Sequence, residues 1–230
     1  VTEPASSGAV RWAVVIPVKP AAVGKSRLAD GLPGGVDRAA LARAIALDTI
    51  AAAAQAAGVD EVVVVTADDE VDAAASALAR VRVVRETEPK GLDAAVAAGV
   101  ATVEAPGRGR AALLGDLPAL APEDLADALE RGASVERGVV ADSEGTGSTL
   151  VTAVPGVPWL SAFGVDSFAR HRAQNFVALD VPADSTLRRD VDTAAHLAEA
   201  AVLGVGSRTA AALGVVPAVI PPSGASESLA

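Results

Sequence analysis

The sequence predicts an α/β fold in which a mostly parallel sheet is covered by helices on both faces, and two observations carry that reading. Short β-branched runs recur along the first half of the chain, at Trp12–Val18 (WAVVIPV), Glu61–Thr66 (EVVVVT) and Val81–Arg85 (VRVVR), with a plainer apolar run at Ala111–Gly115 (AALLG). Each is followed by an Ala/Leu-rich stretch of helical length. Continuous apolar runs mark strands buried on both sides, and the helices between them supply the crossovers that parallel strands need.

The helices fall at Asp37–Ala57, Glu70–Ala79, Leu92–Thr102 and Pro122–Arg131. Asp37 is placed to cap the first, Gly58 to stop it, and Pro122 to open the fourth at its first helical position. Beyond residue 131 the rhythm changes. Gly138–Ala141 (GVVA), Thr149–Val154 (TLVTAV) and Asn175–Leu179 (NFVAL) read as strands without long helices between them. The sheet is therefore expected to become mixed through an insertion, closed by a helix over Thr193–Val202 capped by Thr193 or Asp192. Residues 11–214 read as a single domain without repeat or linker. Residues 1–10 (VTEPASSGAV) and 215–230, ending IPPSGASESLA, read as flexible termini. The first ten residues show no charged-then-apolar secretory pattern, so the expected location is the cytoplasm.

Composition narrows the chemistry. The chain has 230 residues, 51% of them hydrophobic, and a mean hydropathy of +0.39. No apolar run reaches the ~18–20 residues a membrane-spanning helix needs, so no membrane partner is expected. The net charge of −10 and an aromatic content of 2% offer neither a phosphate-tracking groove nor a base-stacking platform, which argues against a nucleic acid polymer. Without cysteine, and with only His171 and His196, the chain has no disulfide, no thiolate nucleophile and no multi-histidine zinc centre. A divalent metal would have to sit on carboxylates, which suits Mg²⁺. Of 19 basic residues only Lys19, Lys25 and Lys90 are lysines, and two of them lie six positions apart.

Ligands of open parallel sheets bind beyond the carboxyl ends of the strands, so residues that end strands are the candidates. Four segments qualify, and a fifth, Phe163–Ser167, is similar to the third. Pro17–Leu28 (PVKPAAVGKSRL) follows the first strand. Its Gly24-Lys25-Ser26 lacks the earlier glycine of a P-loop, since position 19 is lysine. What remains is a loop with Lys19, Lys25 and Arg27, either a cradle for a triphosphate or a set of solvated cations. Asp116, in Leu114–Leu120 (LGDLPAL), is either a Mg²⁺ ligand held at the strand end or a helix cap. Asp142–Leu150 (DSEGTGSTL) and Phe163–Ser167 (FGVDS) offer backbone amides and hydroxyls to an anion, the first being equally readable as an ordinary hairpin turn. In Leu187–Thr193 (LRRDVDT), Asp190 and Asp192 face one ligand together if the segment is extended; a turn would separate them.

Six motifs, PVKPAAVGKSRLA, VVVVTADDE, LLGDLPALAPEDLADAL, DSEGTGSTLVTA, FGVDSFARH and RRDVDTAAHLAEA, resemble in order those of the 2-phospho-L-lactate guanylyltransferase family, which includes bacterial phosphoenolpyruvate guanylyltransferases of coenzyme F-420 biosynthesis. The resemblance spans about residues 12–202. It implies a GT-A-type nucleotidyltransferase, a Rossmann-like three-layer α/β/α sandwich, which transfers GMP from GTP to the phosphate of phosphoenolpyruvate or 2-phospho-L-lactate and releases pyrophosphate. It further implies that Lys19, Lys25, Ser26 and Arg27 hold the nucleotide phosphates. Asp116 with Asp192, and Asp190 in reserve, would hold Mg²⁺, while Thr149, Gly164 and Ser167 bind the three-carbon phospho-acid. Catalysis falls to Lys25, Arg27 and Asp116, and the product passes to a downstream transferase. Two departures stand out: Gly91-Leu92-Asp93 replaces the family's Gly-Leu-Asn, and Ser148-Thr149 its double threonine. Gly91, Asp93 and Glu88 would contribute to the nucleotide site, the two carboxylates accepting from the guanine ring NH and amino group.

An acceptor phosphate is already anionic at neutral pH, so such a reaction needs no general base, in keeping with the scarcity of histidine and cysteine. Alternatives are another small nucleotidyltransferase, of molybdopterin or sugar-phosphate type, and a catalytically silent nucleotide-binding protein. The former favour a glycine-rich first loop, absent here, and the latter would lack the metal carboxylates.

Overall fold

A computed structural model of the chain describes residues 9–21, 28, 31–32, 34–88, 90–103 and 107–214. Its strands are β1 (Arg11–Val18), β2 (Val59–Thr66), β3 (Val81–Arg85), β4 (Arg108–Leu113), β5 (Arg137–Ala141), β6 (Ser148–Ala153) and β7 (Val177–Ala178). Its helices are α1 (Arg38–Gln55), α2 (Asp69–Ser76), α3 (Leu92–Ala101), α4 (Pro122–Gly132), α5 (Ser167–Ala173), α6 (Ala194–Leu203) and α7 (Ser207–Ala212), with a short 3-10 turn at Thr186–Arg188. Every expected strand and helix is present, within a few residues of its expected bounds. The expected five-residue strand at Asn175–Leu179 shrinks to two exposed residues paired with β5. Helices α5 and α7 and the 3-10 turn are additions.

The sheet runs β3-β2-β1-β4-β6-β5-β7. β1 pairs in parallel with β2 and β4, β2 with β3, and β5 with β7, while β6 is antiparallel to both β4 and β5. Six strands thus point one way and β6 alone runs against them. The apolar strands have two faces because side chains alternate. Trp12, Val14 and Ile16 join Val62, Val64, Ile50 of α1 and Leu125 and Leu129 of α4 on one face. Val15, Val63 and Val65 join Ala95, Val96 and Val100 of α3 on the other. A Cβ at Gly99 would stand 2.5 Å from Val15 Cγ1, so that glycine sets how closely α3 lies on the sheet.

Local signals fix the helix ends. The Asp37 side chain accepts from Ala39 N (2.8 Å) at the start of α1. Pro122 opens α4, whose buried Leu125, Ala128, Leu129 and Gly132 follow an i, i+3, i+4, i+7 stripe. Thr193 caps α6 by accepting from His196 N (3.2 Å), which decides between the two expected caps. The last helix is tied back to the first: buried Asp48 of α1 accepts from Arg208 N (3.3 Å) and Thr209 N (2.7 Å), capping α7. Among the described residues no helix is long and apolar enough to cross a membrane.

Candidate active site

The strand order reverses between β1 and β4, which makes the crevice beyond their carboxyl ends the expected ligand site. Lys19 stands exposed directly after β1. Next to it the chain leaving β4 passes close: a Cβ at Gly115 would come 3.2 Å from both Ile16 Cγ2 and the Pro17 carbonyl. Asp116 follows, ahead of α4 rather than capping it, since the residue at that cap is Ala121. The Asp116 carbonyl accepts from Val191 N (3.0 Å), which docks the 190–192 segment against the end of β4. From the other side the Arg188 guanidinium donates to the Asp142 carbonyl (2.9 Å) beyond β5.

These contacts gather four carboxylates. Asp190 is half-buried, and its carboxyl is pushed up to about 7, first by burial and then by the negative charges of Asp116, Asp142 and Asp192. Val191, between the two DVD aspartates, is fully buried in a cluster with Leu28, Leu41 and Leu197, which holds the segment in place. Asp190, the reserve candidate of the sequence reading, is therefore the one set into the crevice, whereas the favoured Asp192 is exposed at the rim. Among the described residues no three carboxylate or imidazole side chains close around a single point as a metal cage would. A cation held here would complete its shell with oxygens from a ligand or water, as Mg²⁺ commonly does.

The Asp142–Leu150 segment is the β5–β6 turn. Asp142 closes it by accepting from Thr146 N (3.0 Å) and Gly147 N (2.7 Å), and a side chain at Gly147 would overlap Asp142 Oδ2. Because β6 runs antiparallel, its first residues, Ser148 and Thr149, lie at the carboxyl edge. Both are buried, and Thr149 Oγ1 has no protein partner. Phe168 N donates to the Thr146 carbonyl (3.1 Å), which brings the start of α5, with buried Ser167, onto this turn. Gly164, at φ +119, lets the chain turn into α5, and its carbonyl accepts from Ser167 N (3.1 Å). The turn that precedes Thr149 and the loop that carries Gly164 and Ser167 are thus joined by the bond at Phe168.

The nucleotide-side candidates are less uniform. Lys25, Ser26 and Arg27 lie outside the described residues. The chain on either side of them is firmly held: Ala21 N donates to Asp68 Oδ2 (3.1 Å), and Leu28 is buried with Val191. Glu88 is exposed and paired with Lys90 (2.9 Å). Gly91, at φ +98, opens α3. Asp93 Oδ1 accepts from Phe163 N (3.0 Å) and so anchors the loop before Gly164.

Three contributors were not singled out from the sequence. Asp68 is buried and accepts from Ala21 N, Arg43 Nε (3.0 Å), Glu70 N and Val71 N, so it caps α2 and pins the chain leaving β1. Despite burial its carboxyl is held below the usual range by those donors. Asp142 closes the turn just described. His171, fully buried, joins Ser148 to Ala162. The two aspartates share a legible signal, for like Asp116 each follows a strand by one to three residues.

A mixed, mostly parallel sheet with carboxylates and a lysine at its switch point is the architecture of an α/β nucleotidyltransferase. Solved structures agree on the fold. The chain superimposes on a nucleotidyl transferase from Methanothermobacter with a TM-score of 0.54 at 21% identity, covering 84% of this chain and 96% of that one. A protein of Desulfovibrio desulfuricans described as a nucleotide-diphospho-sugar transferase gives 0.55 at 15% identity, over 84% and 96%. Residues 12–227 match the family described as Guanylyl transferase CofC like, and the chain belongs to that family. A phosphoenolpyruvate guanylyltransferase of Thermomonospora curvata is 45% identical over 212 residues, covering 91% of this chain and 92% of the relative. One of Salinispora arenicola is 47% identical over 204 residues, covering 86% and 92%.

Proposed function

We propose that the chain is a guanylyltransferase that transfers GMP from GTP to the phosphate of phosphoenolpyruvate. The observation that carries this reading is the carboxylate group of Asp116 and Asp190 beyond β4, with Lys19 at the end of the adjacent β1, in a chain 45% identical to proteins bearing that name. A phosphate oxygen of the acceptor attacks the α-phosphorus of GTP, the bond from that phosphorus to the bridging oxygen breaks, and pyrophosphate leaves with the electron pair. Asp116 and Asp190, with Asp192 at the rim, would hold a divalent cation, Mg²⁺ by the hardness of an all-oxygen donor set. The repulsion that raises Asp190 is the kind a divalent cation relieves, so the residues fit it. Such an ion, when bound, supplies charge stabilisation to the reacting phosphates.

The chain's own residues do the rest by positioning and charge. Lys19, Lys25, Ser26 and Arg27 receive the nucleotide phosphates, and Lys25 and Arg27 offset charge growing on pyrophosphate. Thr149, Gly164 and Ser167 receive the acceptor's phosphate and carboxylate, the buried Thr149 hydroxyl being a donor with no competing protein partner. Gly91 and Glu88 flank the base, while Asp93 acts on it indirectly by fixing the loop at Phe163. The product, an activated diester, would be used by a downstream transferase in coenzyme F-420 biosynthesis, and an enzyme drawing on GTP and phosphoenolpyruvate would work in the cytoplasm.

The test is pyrophosphate release from GTP and Mg²⁺ with phosphoenolpyruvate, 2-phospho-L-lactate or 3-phosphoglycerate, coupled to a trapping transferase. Release that depends on phosphoenolpyruvate is expected. Preference for 2-phospho-L-lactate would reassign the acceptor, and release with none of the three, alongside GTP binding by calorimetry, would sink the reading.

A further inference from the structure

We infer that His171 is a positioning residue for the acceptor: its neutral imidazole braces the two halves of the acceptor subsite, Ser148-Thr149 on β6 and Ala162–Gly164 before α5, at a fixed separation. The inference rests on the guanylyltransferase reading and deepens it. His171 lies on α5 and is fully buried. Its Nε2 accepts from Ala162 N (2.8 Å), which leaves the ring proton on Nδ1, and Nδ1 stands 3.0 Å from Ser148 Oγ, to which it donates. Both ring nitrogens are therefore committed. One bond reaches the residue before Thr149 and the other a residue two before Gly164.

The ring cannot swing away from either bond. Phe163 meets it edge-on at 5.2 Å and 77°, and Phe176 at 5.1 Å and 63°, so two aromatic walls set its plane. The charged groups that face it are Asp93 of α3 and Arg170 of α5. Both are spent on the same loop, Asp93 accepting from Phe163 N (3.0 Å) and Arg170 donating to the Phe163 carbonyl (3.2 Å). The loop from Val154 to Gly164 has no regular structure of its own. Its approach to β6 is therefore set by side chains, and His171 bonds to both sides. A small acceptor gripped from two sides needs that spacing held to a few tenths of an ångström, because bidentate anion contacts fail with small displacements.

The two arms separate experimentally. His171→Asn keeps a donor near the Nδ1 position and gives up the Ala162 bond, whereas His171→Gln keeps a group near Nε2 and gives up the Ser148 bond. Ser148→Ala removes the Ser148 bond without touching the imidazole, and carries the same test where a histidine variant loses the fold. KM for phosphoenolpyruvate is measured at saturating GTP, and KM for GTP at saturating phosphoenolpyruvate. About a tenfold or larger rise in the acceptor KM is expected, equivalent to ~1.4 kcal/mol of binding, with the GTP KM changed less than about twofold. His171→Gln and Ser148→Ala, which cut the same arm, should not compound when combined. A purely structural role would lower the amount of active enzyme and move kcat alone. An acceptor KM that stays within about twofold of wild type, or one that rises in step with the GTP KM, overturns this inference while leaving the guanylyltransferase reading intact. A wild-type chain that releases no pyrophosphate with any of the three phospho-acids overturns both.

Discussion

Asp190 should cost the metal-free protein stability, and replacing it should return that stability while removing function. The folded chain raises the carboxyl from 3.8 to about 7 through burial and the charges of Asp116, Asp142 and Asp192. A raised carboxyl means that the folded state retains a proton the unfolded chain has released. The group is therefore neutral in both states below 3.8, and the fold loses stability as pH climbs from 3.8 to about 7. That interval is worth ~4 kcal/mol at full burial, and solvent reaching the half-buried side chain brings the expected figure to roughly 2–4 kcal/mol. Asp190→Asn keeps the shape and removes the charge. In EDTA at pH 8 it should raise Tm by roughly 5–15 °C, the shift such an energy produces in a domain of this size. The gap should narrow as pH falls toward 4, and pyrophosphate release should fall by ~10²-fold or more at every pH. Mg²⁺ should recover part of the same stability in the wild type. An Asn variant no more stable than wild type at pH 8 in EDTA would refute the account of a strained carboxylate cluster.

Other changes separate chemistry from folding. Asp116→Ala should nearly abolish GTP-dependent pyrophosphate release and leave the circular dichroism spectrum unchanged; near wild-type turnover would remove Asp116 from the metal role. Lys25→Ala should reduce turnover by ~10²-fold, whereas a change confined to Tm would make its loop a solvated surface. Asp68→Ala removes a helix cap, worth ~1 kcal/mol, and takes from Arg43 its buried partner while leaving it paired to exposed Glu70, so denaturant unfolding should show a loss of about 1–2 kcal/mol. For His171, burial lowers the imidazole below its usual value, so the unfolded chain takes the proton first. Its contribution is complete above about 6.5 and declines as pH drops below that. The stability difference between wild type and His171→Gln, read from urea midpoints, should shrink between pH 7.5 and pH 5.5; a constant difference would contradict a neutral buried histidine.

Strong local signals made the first half of the fold readable. The β1, β2 and β3 runs are apolar and β-branched, Asp37 and Pro122 announce the starts of α1 and α4, and both act where the sequence puts them. Helix α5 was not readable because SFARHRA is only seven residues long and owes its place to the long-range bonds of His171 and Phe168. Helix α7 likewise depends on Asp48, some 160 positions earlier in the chain. The candidate site could be proposed from the sequence as a set of strand-end residues but not as a geometry. An alternation rule cannot rank Asp190 over Asp192, since the ranking comes from Arg188 and Val191 docking against the ends of β5 and β4. Nor does residue type alone tell that Asp93, in place of the family's asparagine, is engaged by a backbone amide seventy residues on.

The reversed direction of β6 bears on how such an enzyme could change its diet. Parallel strands draw their site loops from separate crossovers scattered along a chain. One strand laid the other way would let a hairpin and the short helix after it deliver the proposed acceptor contacts from a single continuous stretch, roughly residues 137–173. The β1, β4 and α6 parts that would handle nucleotide and metal lie outside it. The segment is in effect a cassette, and exchanging it between relatives is a simple route by which one phospho-acid could replace another without disturbing the phosphoryl-transfer machinery.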